Sequence, residues 1–188
     1  MVLKIDLAKA FDRTSWLYLR MLLTHLGFPL AFIQWIMCFL TSVSFSVVIN
    51  GSASSFFHVE CGLRQGCPLS PLLFLLVMEG LSRYISKEKR QGRLQGIKIT
   101  NNCILTHLLF VDDVLIFLKG SIGDTMDFSS ILRSFCFATS MERNQIKSAM
   151  TIVDCSHSET LTTDQGFPYT ILPFDDGLKY LGFRLKPV

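Results

Sequence analysis

The spacing of apolar positions changes several times along the chain, and each change marks an element. Val2 to Leu7 is a short, mostly apolar run that predicts a strand with Asp6 near its end, followed by a turn holding Lys9, Phe11 and Asp12. Trp16, Leu19, Leu23 and Leu26 then recur at helical spacing until Gly27-Phe28-Pro29 ends the pattern. A second helix is predicted from Ala31 to Leu40, with Phe32, Trp35, Ile36 and Phe39 as an aromatic stripe facing the core. Phe45, Val47 and Ile49 alternate up to Asn50-Gly51, and Phe57, Val59 and Cys61 alternate beyond it, which predicts a β-hairpin.

Ser70-Pro71 reads as an N-cap and first helical position, so a long helix is expected from there toward Arg90, ending near Gly92. Thr106 to Leu118, THLLFVDDVLIFL, has two apolar runs, each the length of a buried strand, with Asp112 and Asp113 at the midpoint. Strand, tight turn, strand is the expectation there. Asp124 or Thr125 then caps a helix carrying Phe128, Ile131, Leu132 and Phe135, which gives way near Thr139 to Asn144-Gln145-Ile146-Lys147-Ser148. Thr151 to Val153 reads as a brief strand, 154–166 as a polar loop or subdomain boundary, and Leu178 to Leu185 as a last apolar strand. The expected division is 1–154 and 155–188.

Composition adds a constraint. A chain of 188 residues suits one domain, yet 49% hydrophobic residues and a mean hydropathy of +0.40 are high for a self-contained soluble one. Such a chain is either membranous or packs against something. The apolar runs Leu30–Leu40 and Leu72–Met78 fall short of the ~20 residues that span a bilayer, so no membrane is expected, and the lack of an opening charged-then-apolar signal sequence argues against secretion. Six scattered cysteines without a Cys-x-x-Cys pair argue for free thiols in a reducing compartment, and His58, Cys61 and Cys67 lack a fourth zinc ligand at finger spacing. A net charge of +3 names no partner. Arg83, Lys87, Lys89, Arg90, Arg93 and Lys98, opposed in that span only by Glu88, form either a phosphate-tracking face or an ordinary solvated one.

The carboxylates carry the candidate chemistry. Two adjacent ionised groups at the edge of an apolar sheet repel each other and are costly unless something positive meets them. A divalent cation would answer both problems, and a solvated hairpin tip is the alternative. If the strand of Asp6 lies beside the Asp112 hairpin, three carboxylates converge, a set suited to two hard cations and to phosphoryl transfer.

In order and spacing, KIDLAKAFDRTSW, SFSVVINGS, GLRQGCPLSPLLFLLVMEGLSRYI, THLLFVDDVLIF, NQIKS and LKYLGFRL resemble the reverse transcriptase of non-LTR (LINE-type) retroelements, particularly those of plants. The resemblance covers nearly the whole chain. It implies an α+β right-hand polymerase palm, an antiparallel sheet with helices packed on one face, and RNA-directed DNA polymerase activity. Asp6 and Asp112 would be the principal ligands of two Mg²⁺ ions, with Mn²⁺ as the alternative metal and Asp113 completing the cluster. Phe11 matches the ring that blocks a ribose 2′-hydroxyl, Gln65 and Gly66 the loop at the nascent base pair and template, and Arg64 a phosphate or base contact. Lys147 matches a general acid near the leaving pyrophosphate, and Tyr180, Leu181 and Gly182 the primer grip.

The implied partners are an RNA template, a DNA primer and a deoxynucleoside triphosphate, and the implied location is intracellular, nuclear or cytoplasmic. Thr139-Ser140-Met141 departs from the family's Ser-Gly-Leu turn. Only five residues precede Asp6, and little follows Tyr180, so the chain is expected to be a palm largely without fingers and with only the start of a thumb. Two other readings stand beside the polymerase. One is an inactive remnant that binds RNA through its basic helix, and the other is a different palm enzyme, against which Phe11 and GLRQGCPLSP argue.

Overall fold

Alternation within the first strand sets the two faces of the main sheet. In the computed structural model, which describes residues 1–101, 103–120, 122–151, 170–173 and 176–185, Leu3, Ile5 and Leu7 of β1 (Val2–Ala8) are buried. Val2, Lys4, Asp6 and Ala8, on the opposite face, are half-buried. Three helices follow: α1 (Ala10–Arg13), α2 (Trp16–His25) and α3 (Leu30–Thr41). Short strands β2 (Ser44–Phe45), β3 (Val48–Ile49), β4 (Ser52–Ala53) and β5 (Phe57–His58) form the expected hairpin, whose tip has Asn50 and Gly51 at φ 51 and 83. Both central residues at positive φ match the strand twist, which is why Asn-Gly serves there.

The long helix α4 (Leu69–Arg90) precedes β6 (Ile97–Thr100), β7 (Cys103–Leu105), β8 (His107–Phe110) and β9 (Asp113–Phe117). Beyond α5 (Ile122–Thr139) lie β10 (Glu142–Arg143), β11 (Ala149–Thr151), β12 (Thr170–Leu172), β13 (Leu178–Tyr180) and β14 (Phe183–Leu185). The main sheet runs β12-β11-β1-β9-β8, with β10 also paired to β1. Register places Leu3 opposite Ile116 and Ile5 opposite Val114, so these side chains share the face on which α2, α4 and α5 pack. The expected α+β class and the one-sided helix layer are both present.

On α4, Leu73, Phe74, Val77, Met78, Leu81 and Ile85 recur at helical spacing and are buried. This helix is, by length and composition, long and apolar enough to cross a membrane, but here that stripe is the centre of the core, against Leu19, Leu23 and Phe128. Its end follows expectation, with Gln91 as C-cap and Gly92 at φ 74.

Several expectations need correction. The α4 helix begins at Leu69 behind Pro68, so Ser70 is not its cap. The Ser70 N–H instead closes a turn on the Cys67 carbonyl at 3.2 Å, and Pro71 fits the first turn because no N–H partner is needed there. On α3 the buried face is Ile33, Ile36 and Leu40, while Trp35 is 71% exposed. A helix that is apolar nearly all round gives periodicity nothing with which to choose a face. The α5 helix begins at Ile122, before Asp124, whose carboxylate accepts the Gln95 N–H at 3.1 Å.

The sheet is antiparallel except for the parallel β11–β12 pair, and β8 is an edge strand with Phe110 55% exposed rather than a buried one. The last apolar run is a hairpin, β13–β14, because Leu181 and Gly182 both take left-handed backbone. The β6–β7 hairpin was not foreseen. Residues 152–153 and the expected boundary at 154/155 lie outside the described residues.

Phe74, fully buried and stacked on Phe11 at 4.4 Å, is a direct test of this core. Phe74→Ala is expected to lower stability by about 3–5 kcal/mol, measured by urea unfolding.

Candidate active site

Strand register brings the carboxylates together. Asp6 on β1 lies directly opposite Asp113 on β9, so their side chains project from one face, the one not covered by α2, α4 and α5. Asp112 stands exposed on the two-residue turn between β8 and β9. That turn has Val111 at φ 54, a left-handed backbone that a β-branched residue rarely adopts. A residue missed at the sequence level joins the group: the Lys4 ammonium sits 3.5 Å from the Asp113 carboxylate. Its signal was its place two positions before Asp6 on one strand, which only the register turns into a contact. Among the described residues no three His, Cys, Asp or Glu side chains converge on one point, so the acids form a cross-strand pair plus a neighbour on the turn.

The backbone of Asp6 is also held from the other side. Its N–H donates to Ser148 Oγ at 3.2 Å, and its carbonyl accepts the Asn144 N–H at 2.8 Å. Within the Asn144–Ser148 segment, Asn144 Oδ1 accepts from Ile146 and Lys147 N–H at 3.2 and 3.3 Å, and Ser148 N–H returns to the Asn144 carbonyl at 3.0 Å. The segment thus bulges from β1 between its pairings with β10 and β11, beside Asp6, with Lys147 exposed on it. Ser140 occupies φ 61, so the turn before this segment keeps the backbone that glycine favours.

The Gly62–Gly66 loop is tied to the turn after β1. Gly62 N–H donates to the Thr14 carbonyl at 2.8 Å, Leu63 N–H to that of Phe11 at 2.7 Å, and Trp16 Nε1 to that of Gly62 at 2.6 Å. Gly62 has φ 92, and a Cβ there would lie 2.5 Å from the Asp12 carbonyl oxygen. Gln65 Nε2 donates to Asp12 Oδ1 at 3.0 Å, and Gly66, at φ 79, faces open space. Arg64 lies over the Phe39 ring at 5.6 Å, a cation–π contact that turns it toward α3. Phe11 is half-buried against Phe74, serving as a wall of the core as well as a neighbour of the loop.

Tyr180 of β13 lies within electrostatic reach of Asp113. Burial and then the negative charge of Asp113 push its phenol above the usual range. Leu181 and Gly182, at φ 47 and 82, form the tip of that hairpin. The basic cluster is less available than its charges suggest. Arg83 pairs with Glu79, Arg93 with Glu88, and Lys89 Nζ donates to the Ile104 carbonyl at 2.7 Å, leaving Lys87, Arg90 and Lys98 exposed. The hydrogen bond from Arg93, and then its charge, hold the Glu88 carboxyl below its ordinary range.

Residues 1–185 match the family described as reverse transcriptase (RNA-dependent DNA polymerase). The chain belongs to that family. It is 48% identical over 67 residues, 35% of its length, to an uncharacterized mitochondrial protein of Arabidopsis thaliana. It is 31% identical over 137 residues, 70% of its length, to the retrovirus-related Pol polyprotein of a type-2 R2 retrotransposable element of Drosophila melanogaster. A type-1 R2 element Pol polyprotein of Popillia japonica is 29% identical over 115 residues, 61% of this chain. The matched regions span 55%, 12% and 18% of those three proteins respectively.

Among solved structures, telomerase from Candida albicans, in complex with a fragment of telomeric RNA, superposes with a TM-score of 0.61 over 82% of this chain and 28% of its own, at 14% identity. Apo telomerase from Candida tropicalis gives 0.57 over 79% of this chain and 30% of its own, also at 14% identity. At that identity the likeness concerns the fold, and it agrees with the α+β palm.

Two substitutions test the loop and the turn. Gly62→Ala is expected to cost about 2–4 kcal/mol in urea unfolding, from left-handed strain plus a backbone clash, whereas Gly66→Ala carries the strain alone and costs about 1–2 kcal/mol. Ser140→Gly is expected to stabilise the chain by about 0.5–1 kcal/mol in the same measurement, since it relieves a left-handed serine at some entropic cost in the unfolded state.

Proposed function

We propose that this chain is the palm of an RNA-directed DNA polymerase of non-LTR retroelement origin, which adds deoxynucleotides to a primer 3′-hydroxyl on an RNA template. The observation that supports this most strongly is the pairing of Asp6 with Asp113 on the open sheet face, with Asp112 next to them on the turn and the clamped Asn144–Ser148 segment alongside. The family match makes the reaction class the natural one for that arrangement.

The chemistry of the donor set suits a divalent metal, with Asp6 and Asp113 paired across the ladder and Asp112 beside them on the turn. All three groups are carboxylates, as hard cations prefer, and Asp113 already draws the Lys4 ammonium against it. Asp6 and Asp112, with Asp113, would hold two Mg²⁺ ions, or Mn²⁺ in their stead. Bound there, the ions would supply positive charge to the attacking and leaving oxygens of phosphoryl transfer. The chain's own residues do the rest. Phe11 would exclude a ribose 2′-hydroxyl, and Gln65, held by Asp12, would meet the template and nascent base pair together with Gly66. Lys147 would protonate the leaving pyrophosphate as general acid, its segment aligned on the Asp6 backbone. Arg64 would reach a phosphate or base only by leaving Phe39.

The hairpin of Tyr180, Leu181 and Gly182 would seat the primer terminus and, in this reading, begins the thumb. RNA template, DNA primer and deoxynucleoside triphosphate are the proposed partners, with fingers and thumb regions beyond the palm, and the proposed location is the nucleus or cytoplasm.

The test is Mg²⁺-dependent incorporation of deoxynucleotides on a primed RNA template by the full chain, alone and with a fingers segment supplied. Asp112→Asn is expected to lower incorporation by roughly 10³-fold, the scale of losing a charge-stabilising group at a reaction centre. Absence of incorporation in both formats would sink the enzymatic reading and leave an inactive remnant.

A further inference from the structure

We propose that Lys4 is the resident counter-ion of the acidic site, paired with the Asp113 carboxylate and competing with divalent cations for the same negative potential. This rests on the reading of Asp6, Asp112 and Asp113 as metal-binding groups. Strand geometry gives Lys4 this role. Lys4 and Asp6 are two residues apart on β1 and so share the open face of the sheet. The register sets Lys4 opposite Leu115 and Asp6 opposite Asp113, which makes Asp113 the diagonal neighbour of Lys4, within reach of a long side chain. The ammonium does reach it, at 3.5 Å, with the two side chains only 21% and 25% exposed. Such a pair is screened less by salt than one in open solvent.

Without a cation, Asp6 and Asp113 would face each other as like charges across a ladder, an arrangement that destabilises a strand pair. Lys4 removes that cost when no metal is bound. The same charge works against any second cation that enters. The three carboxylates are therefore not equivalent: Asp113 is neutralised from within the protein, whereas Asp112 stands exposed on its turn. Replacing Lys4 by a side chain of similar length without charge leaves a more negative site that gains more from a metal. Loss of this residue at the site would therefore tighten metal binding.

The experiment titrates the full chain with Mn²⁺ alone, following free Mn²⁺ by electron paramagnetic resonance. Lys4→Met is expected to bind roughly tenfold more tightly than wild type, Lys4→Arg to remain within about twofold of it, and Asp113→Asn to bind more weakly. In metal-free buffer Lys4→Met lowers the melting temperature, and it causes no further loss when added to Asp113→Asn, because the partner is already gone. Equal or weaker Mn²⁺ binding by folded Lys4→Met overturns the role of Lys4 while leaving the metal site standing. If neither wild type nor any variant binds Mn²⁺, the metal-site reading falls and this inference falls with it. Should Lys4→Met not fold, the wild-type chain decides. Labelling of Lys4 by an amine-selective reagent rises several-fold at saturating Mn²⁺ if the ammonium is displaced, and labelling that does not change rejects the idea.

Discussion

The ladder between β1 and β9 is the constraint on which the rest depends. Its register determines which side chains of β1 enter the core and which stand on the open face, and because the side-chain period is two, a slip of one residue would exchange them. In the observed register Ile5 and Val114 face the helices while Asp6 and Asp113 face outward. The core thus positions the acids: burying Leu3, Ile5, Val114 and Ile116 together is possible only if the carboxylates meet on the other side. The segment at Asn144–Ser148 then reads the same strand through its backbone, which ties the exposed lysine to the same reference.

Much of this was legible in the amino-acid sequence, and the parts that were not share a cause. THLLFVDDVLIFL declares a hairpin because two apolar runs flank the only charges in the stretch, and Asn50-Gly51 declares another by its turn chemistry. The aromatic stripe of α3 was misplaced because that helix is apolar on most sides, so the side it buries is decided by its neighbours. The parallel β11–β12 pair has no local signature, as it joins segments about twenty residues apart through a stretch with little apolar pattern. The Lys4–Asp113 pair was hidden for the same reason: 109 positions separate the two residues, and only the register makes them neighbours.

Charge offers a different lesson. The six basic residues between Arg83 and Lys98 look like a nucleic-acid face when counted, yet two are paired with carboxylates and a third donates to a backbone carbonyl. The Glu79–Arg83 pair was visible in the sequence as a four-residue spacing that starts just outside the cluster. A cluster's net charge is therefore a poor guide to how many cations it leaves for a partner. Arg64 makes the same point individually, since its position in the loop suggests a phosphate contact and its guanidinium lies over Phe39.

Among the described residues, five non-glycine residues take left-handed backbone: Val111 and Leu181 lie at the tips of the hairpins that carry Asp113 and Tyr180, Lys9 follows β1, Ser140 precedes β10, and Asn50 sits at the tip of the β2–β5 hairpin. Each such residue costs about 1–2 kcal/mol relative to an ordinary conformation, so the turns together store several kcal/mol of strain that only the surrounding packing holds in place. The site thus borrows its shape from the reserve of stability beneath it. A methylene removed deep under α4, far from any carboxylate, draws on the same reserve. In such a fold the distinction between a core mutation and an active-site mutation becomes one of degree.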